Sequence, residues 1–229
     1  MLLSAGESEV PVEDAPARAA EILGQLGSAS PEDVWTEALA LEGLGQKAVP
    51  ALTAALKEGP EAVRLAAAKA LCALGGQGPA CETLADLARK GSPAARSIAV
   101  HILGEHSGPA GTKSLVALME DASLPSSLRV RTAKALWVKS RHMKAPKFCR
   151  EALEDADLGV RNAAALALGE MGQMGDARIL LETLALAPTD DGEKARGILL
   201  KDQLARMLAG QEGKDRKETA DGLALLDEV

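Results

Sequence analysis

The stretch VRNAAALALGEMG, residues 160–172, decides the fold of this chain of 229 residues. A clear second copy, VRLAAAKALCALG, occupies residues 63–75, and weaker copies begin near Asp33, Ala95 and Leu128. With the arginine position taken as the phase mark, the copies fall at residues 34, 64, 96, 129 and 161. A fixed period of about 32 residues is typical of a solenoid, in which each repeat packs only against its neighbours.

Each period contains two predicted helices. The first helix often begins at a proline, which suits the first turn because its missing N–H has no intrahelical acceptor there. The second helix carries the valine–arginine phrase and small alanines, and a glycine follows it as a left-handed cap. The predicted cap glycines are Gly45, Gly75, Gly104 and Gly172, and the predicted N-caps between the two helices are Ser92 and Asp157. The sequence therefore predicts an all-α fold, an α–α superhelix (solenoid) of about six helix pairs.

The predicted solenoid covers residues 15–208. Its first pair is expected at 15–26 and 31–44, and its last pair at 175–187 and 193–208. Residues 1–14 contain four acidic side chains and no basic one, and we expect them to be disordered. Residues 209–229 are expected to form a polar linker and a short apolar–acidic segment, which either folds back onto the last repeat or enters a groove of a partner.

Two helices per period, alanines in the second helix and Val-Arg near its start resemble HEAT repeats. The resemblance is strongest to the short bacterial HEAT-like repeats that also occur in phycobilisome lyases. It covers residues of about 15 to 208, and it is specific for architecture but not for activity. Tetratricopeptide repeats have a similar period, but their Trp, Tyr and Pro pattern is missing.

The composition argues against most kinds of catalytic or cofactor site. There are only three aromatic residues, two Trp and one Phe, so stacking platforms for bases or cofactors are scarce. HEAT-type deoxyhypusine hydroxylases bind iron through repeated His-Glu pairs, but here the reversed pair Glu105-His106 occurs once. The sequence contains no zinc-protease, P-loop or nucleophile-elbow motif. We therefore expect no catalytic residue, no metal and no cofactor, and we expect that the protein is not an enzyme.

One segment, residues 122–150, differs from the rest in charge. It contains no acidic residue but eight basic ones: Arg129, Arg131, Lys134, Lys139, Arg141, Lys144, Lys147 and Arg150. The remaining 18 basic and 33 acidic side chains give the rest of the chain a charge of −15, within a net charge of −7. The favoured interpretation is a docking patch for an acidic protein. A solvated face without a partner and a contact to phosphate or nucleic acid remain the alternatives.

The second helices usually line the concave side of HEAT arrays, so their repeated positions predict a recognition surface. The candidate partner-binding residues are Lys69, His101, Glu105, Arg131, Lys134, Val138, Arg141 and Lys144. The alternative is that some of these positions face the neighbouring repeat. Trp35 and Trp137 are candidate anchors, because interface hot spots favour Trp and Arg.

The repeated arginines, Arg64, Arg96, Arg129 and Arg161, are expected to form an internal ladder. Each would bind an acidic or carbonyl group of the adjacent turn, and Glu61 and Asp157 are nearby acids. An anion-binding row is the alternative. Taken together, the sequence predicts a cytoplasmic scaffold, adaptor or regulatory subunit that binds another protein, with no membrane insertion. A nucleic-acid-binding protein or the accessory domain of an enzyme is the alternative function.

Overall fold

The computed structural model describes residues 14–26, 34–106 and 108–172, together with the single positions Asp176 and Lys201. Within these ranges the chain forms helices and no strand. The helices are α1 (Ala15–Leu26), α2 (Val34–Gly43), α3 (Val49–Glu58), α4 (Glu61–Ala73), α5 (Gln77–Lys90), α6 (Pro93–His106), α7 (Pro109–Glu120), α8 (Ser126–Ser140), α9 (Lys144–Ala152) and α10 (Leu158–Met171). One 3₁₀ turn, Gly45–Ala48, precedes α3.

The helices alternate as the sequence predicts, so the all-α solenoid class is confirmed. Odd-numbered helices are the first members of the pairs, and even-numbered helices carry the valine–arginine phrase. Five of the six expected pairs lie in the described ranges. The expected sixth pair at 175–208 and the segments 1–13 and 209–229 lie outside the described residues, apart from Asp176 and Lys201.

The chain divides into two compact units, residues 1–118 and 119–229. In the first unit, α4 packs against α2 on one side and α6 on the other, and α3 packs against α5. Every side chain of α4 from Leu65 to Cys72 is buried, including four alanines. Because alanine side chains are small, α2 and α6 can approach α4 closely. In the second unit, α8, α9 and α10 pack against one another.

Glycine ends three of the second helices in the predicted manner. The φ angles of Gly45, Gly75 and Gly172 are 67°, 90° and 67°, in the left-handed region that glycine adopts without steric cost. The prediction was wrong for Gly104, because α6 continues for two further residues. Glu105 contacts His101 at the i, i+4 spacing of a helix, and the ring of His106 lies 6.4 Å from that of Trp35 on α2.

The N-caps Ser92 and Asp157 are confirmed. The hydroxyl of Ser92 accepts a hydrogen bond from the backbone N–H of Ala95 at 3.3 Å, and the carboxylate of Asp157 accepts one from Gly159 at 2.7 Å. Each cap therefore satisfies a donor in the first turn that has no acceptor within its own helix.

The arginine ladder is confirmed, with backbone carbonyls as its acceptors. Each guanidinium donates to the end of the helix that precedes its own, or to the turn between them: Arg64 to Leu56 (3.1 Å), Arg96 to Gly91 (2.7 Å), Arg129 to Met119 (2.9 Å), and Arg161 to Asp155 (2.8 Å) and Ala156 (3.0 Å). The proposed acidic neighbours have other roles. The carboxylate of Glu61 accepts hydrogen bonds from the backbone N–H and the hydroxyl of Ser92, one repeat later, and Asp157 caps its own helix.

Candidate binding surfaces

In the first unit, three second helices bring an aromatic and charged cluster together. The ring of Trp35 on α2 lies 5.1 Å from the ring of His101 on α6, edge to face, and 6.4 Å from the ring of His106. The ammonium of Lys69 on α4 lies 5.7 Å from the same indole. The cluster therefore connects α2, α4 and α6 through side chains that are far apart in sequence.

Lys69 is buried within this cluster. It is only 4% exposed, and its ammonium donates to the carboxylate of Glu42 on α2 at 2.7 Å. Lys69 therefore faces the neighbouring repeat and not the solvent, which was the alternative for some of the repeated positions. An ammonium removed from water requires such a carboxylate, because a buried charge without a partner is strongly destabilising.

The two histidines of the cluster share one carboxylate. The Nε2 atoms of His101 and His106 lie 3.2 and 3.4 Å from Glu105. Burial lowers the pKa of His106 below its ordinary value, and the charge of Lys69 lowers that pKa further. The part of the chain that the structure describes contains no group of three or more side chains arranged to hold a metal ion.

In the second unit, half of the basic residues of segment 122–150 already have partners within the fold. Lys134 pairs with Glu170 at 2.5 Å, and Lys144 pairs with Glu120 at 2.6 Å. Arg150 forms a two-pronged contact to the buried carboxylate of Asp176, and Arg129, which belongs to the ladder, also lies 4.8 Å from the ring of Phe148. These contacts reduce the charge that segment 122–150 can offer to a partner.

Four residues lie along one face of α8 and at its carboxyl end. Arg131, Lys134 and Val138 follow one another at spacings of three and four residues, which places them on one stripe of the helix, and Arg141 comes directly after its last residue. Arg131 and Arg141 are exposed, and Val138 is 61% exposed. We call these four residues the basic face. It combines two exposed guanidinium groups with an aliphatic side chain.

The end of α8 departs from the other second helices. Arg141 occupies the left-handed position with a φ of 51°, where the corresponding helices α4 and α10 have glycine caps. Its guanidinium carbon lies 5.2 Å from the ring of Trp137, a cation–π distance. Trp137 is buried, and its Nε1–H has no hydrogen-bond acceptor among the described residues. The helix end therefore presents a strained arginine above an indole with an unsatisfied donor.

The structure separates the candidate residues into two groups. Lys69, His101 and Glu105 belong to the cluster in the first unit, and Arg131, Lys134, Val138 and Arg141 form the basic face in the second unit. Lys144 begins α9 and is paired with Glu120. The sequence interpretation missed Glu42 and the participation of His106. Both lie on second helices, eight and ten residues after their phase marks, so the repeat alignment contained a signal for them.

The three cysteines, Cys72, Cys81 and Cys149, are buried. Burial raises the pKa of the Cys149 thiol to about 12, and the nearby carboxylate of Asp176 contributes in the same direction. Such a thiol stays protonated near neutral pH and is a poor nucleophile. Among the helices that the structure describes, none is long and apolar enough to span a bilayer.

Comparison with known proteins supports the repeat assignment. The family model for HEAT repeats matches residues 49–126 and 122–200. No curated protein matches the sequence. A solved structure, the complex of CpcE and CpcF of phycocyanin lyase from Nostoc sp. PCC7120, is similar at 21% sequence identity and a TM-score of 0.38, over 81% of this chain and 98% of that chain.

Proposed function

This chain belongs to the HEAT-repeat family, and on that premise we propose that it is a non-catalytic scaffold or adaptor that binds another protein. The docking surface is the basic face of α8, and the partner presents an acidic surface. The family match gives the architecture. The charges of α8 support an acidic partner. We also propose that the protein acts in the cytoplasm, where buried cysteine thiols stay reduced.

A single observation carries this proposal. In an acidic protein, Arg131 and Val138 on α8 and Arg141 at its end are exposed, and the whole segment 122–150 contains no acidic residue. Exposed charges of one sign attract an oppositely charged partner and orient it. The exposed valine adds apolar area, which a partner removes from water on binding.

Lys134 and Lys144 have a secondary role in this proposal. Both are already paired with glutamates, Glu170 and Glu120, so an acidic partner must compete with these carboxylates. Exposed ion pairs of this kind contribute only about 0–1 kcal/mol each, so the competition costs little. Arg131 and Arg141 therefore provide most of the attraction.

The cluster in the first unit supports a second contact surface. His101 and Glu105 are exposed, and Leu39 on α2 is an exposed apolar residue at the repeat position that Lys69 occupies on α4. Lys69, which is buried, positions Trp35 and Glu42 and does not contact the partner itself. This surface offers mixed charge and carries no preference for an acidic partner.

The test compares two charge-reversed variants in an affinity purification. The first is Arg131→Glu/Arg141→Glu, which reverses the basic face. The matched control, Lys47→Glu/Lys113→Glu, changes the net charge by the same amount at two exposed lysines elsewhere. Tagged proteins are recovered from the source organism with and without nuclease, and the co-purifying proteins are identified by mass spectrometry.

We expect an acidic protein to co-purify with the unmodified chain and the control, and to be absent from the Arg131→Glu/Arg141→Glu sample. Material that is lost on nuclease treatment would instead favour the nucleic-acid alternative. A partner that binds both variants equally would contradict the assignment of the basic face.

A further inference from the structure

We propose that Arg141 and Trp137 together form the anchor of the basic face, and that they bind a carboxylate side chain in an acidic, aliphatic peptide segment of the partner. This inference rests on the proposed function and goes further, since it names the anchoring residues and the peptide chemistry. It is carried by two independent features of the end of α8, its backbone conformation and an unsatisfied donor.

The first feature is the conformation of Arg141. It is the only residue other than glycine with a positive φ in the described ranges, and the corresponding caps Gly75 and Gly172 show what the position normally requires. Left-handed backbone is unfavourable for a residue with a Cβ atom. Strained backbone of this kind persists where the surrounding structure enforces it, and it clusters at binding and catalytic sites. At this position, the side chain is a guanidinium lying over the indole of Trp137.

The second feature is the unsatisfied donor. Trp137 is only 8% exposed, and no described residue accepts a hydrogen bond from its Nε1–H. Buried donors in folded proteins nearly always have an acceptor. A carboxylate has two oxygens that accept hydrogen bonds, and a guanidinium has five N–H donors in a planar fork. The guanidinium of Arg141 lies 5.2 Å from the centre of the same ring, so the carboxylate proposed to bind Arg141 would also supply an acceptor for Trp137.

The surroundings of the anchor specify the rest of the peptide. Val138 and Met143, which are 61% and 64% exposed, provide aliphatic contact area beside Arg141. Arg131 lies ten residues before Arg141, so their Cα atoms are about 15 Å apart at the rise of an α-helix. An extended peptide spans this distance in about five residues. This spacing corresponds to a segment with two acidic residues about five positions apart, and Val138 accounts for an aliphatic residue between them.

The experiment uses the ¹⁵N-labelled full chain and a synthetic peptide with two glutamates at that spacing, separated by leucine and alanine. The chain has two tryptophans, and a Trp35→Phe variant assigns the Nε1–H signal of Trp137. The control peptide has glutamine in place of glutamate. A short DNA duplex is the third probe, because phosphates could also engage arginine. The variant is Arg141→Gly, which restores the usual residue at the left-handed position.

We expect the glutamate peptide to shift the Trp137 indole signal, and the glutamine peptide to leave it unchanged. Arg141→Gly is expected to melt at the same temperature as the unmodified chain or higher, and yet to bind the glutamate peptide roughly tenfold more weakly, because a charge-assisted two-pronged contact is lost. If Arg141→Gly is as stable as the unmodified chain but binds the glutamate peptide more weakly, Arg141 acts in binding and not in the stability of the fold.

Other results overturn the inference in distinguishable ways. If Arg141→Gly binds the peptide as the unmodified chain does, while Arg131→Glu/Arg141→Glu loses its protein partner, then the anchor is wrong and the docking face stands. If neither variant loses binding, the proposed function fails as well. If the duplex shifts the Trp137 signal at lower concentration than the glutamate peptide does, the ligand is a nucleic acid and both proposals fail.

Discussion

At the level of single residues, arginines of this protein occur in two different environments. The ladder arginine of each helix pair after the first is half-buried and donates to a backbone carbonyl at the end of the preceding helix or in the turn after it. Such a carbonyl has no partner within its own helix, so the arginine satisfies a group that the helix end leaves open. Arg131, only two positions after a ladder arginine, is exposed and belongs to the proposed docking face. Position within the repeat therefore decides whether an arginine is bound inside the fold or exposed to solvent.

Removing a ladder arginine should cost stability without affecting binding. We expect Arg96→Met to lower the free energy of unfolding by about 1–2 kcal/mol, because the carbonyl of Gly91 loses a charged donor at 2.7 Å. The exposed Arg131→Met should stay within about 0.5 kcal/mol. Urea unfolding followed by circular dichroism checks both values. Equal losses in the two variants would contradict the ladder.

Between helices, the cluster of the first unit depends on a buried ion pair. Lys69 and Glu42 connect α4 to α2, and Trp35 covers the ammonium. We expect Glu42→Gln to lower the free energy of unfolding by about 2–4 kcal/mol, because it leaves a buried ammonium without its carboxylate. Lys69→Met should cost no more than about 1 kcal/mol, because methionine fills similar volume and Glu42, which keeps some exposure, can hydrate.

Urea titrations of the two single variants and of Glu42→Gln/Lys69→Met give the coupling between the side chains. The double variant should be about as stable as Lys69→Met alone. Glu82→Gln, at an exposed glutamate on α5, is the control for loss of a carboxylate. Additive losses in the double variant would show that the pair does not stabilise the contact between α2 and α4.

The same three helices make stability depend on pH through His106. Its pKa is lowered in the folded protein, first by burial and then by the charge of Lys69, while Glu105 and Glu42 act in the opposite direction. As the pH falls, His106 of the unfolded chain therefore takes up its proton at a higher pH than His106 of the folded protein does. The free energy of unfolding should decrease as the pH drops below 6.5, the ordinary pKa of histidine, and should stop decreasing below the pKa of His106 in the folded protein.

We expect the melting temperature to fall between about pH 7.5 and pH 5.5, and His106→Asn to reduce this fall. His142→Asn, which lies outside the cluster, serves as the control. Melting curves at several pH values, all kept above the range in which carboxylates titrate, provide the measurement. A fall of the same size in His106→Asn would assign the pH dependence to other groups.

For the molecule as a whole, charge is unevenly distributed along the chain. The net charge of −7 repels an acidic partner at a distance, whereas the basic face attracts it at close range. Salt screens both effects, since the Debye length is about 10 Å at 0.1 M. The association rate should therefore change less than about threefold between roughly 50 and 300 mM NaCl, while the dissociation rate increases.

Stopped-flow measurements with the glutamate peptide test this expectation, because they separate the two rate constants. A uniformly basic binding protein would instead lose most of its association rate as salt rises. An association rate that falls tenfold or more would show that long-range attraction dominates, which is at odds with a local docking face on an acidic molecule.

The sequence alone determined the architecture. A period of about 32 residues, proline at helix starts and glycine at helix ends specify helix pairs, because capping and small-residue packing are local or nearest-neighbour effects. The ladder arginines were predictable for the same reason, since each acceptor lies within ten residues of its donor. The prediction for Gly104 was wrong, since α6 continues to His106, whose ring lies beside Trp35 of α2, a contact between helices that the repeat pattern does not contain.

Only the tertiary structure decided which charged side chains are exposed and without a partner carboxylate. The spacing of Lys69, His101 and Lys134 is equivalent in the repeat, yet Lys69 is buried, His101 is exposed and Lys134 is paired. The carboxylate partners of Lys69 and Lys134 lie on neighbouring helices, about one repeat away, whereas that of His101 lies on its own helix. One-dimensional periodicity does not show which side chain fills the space between two helices. The indole N–H of Trp137 without an acceptor and the left-handed backbone of Arg141 likewise depend on tertiary packing. The repeat pattern therefore fixes the scaffold, and the contacts between helices fix the surface available for binding.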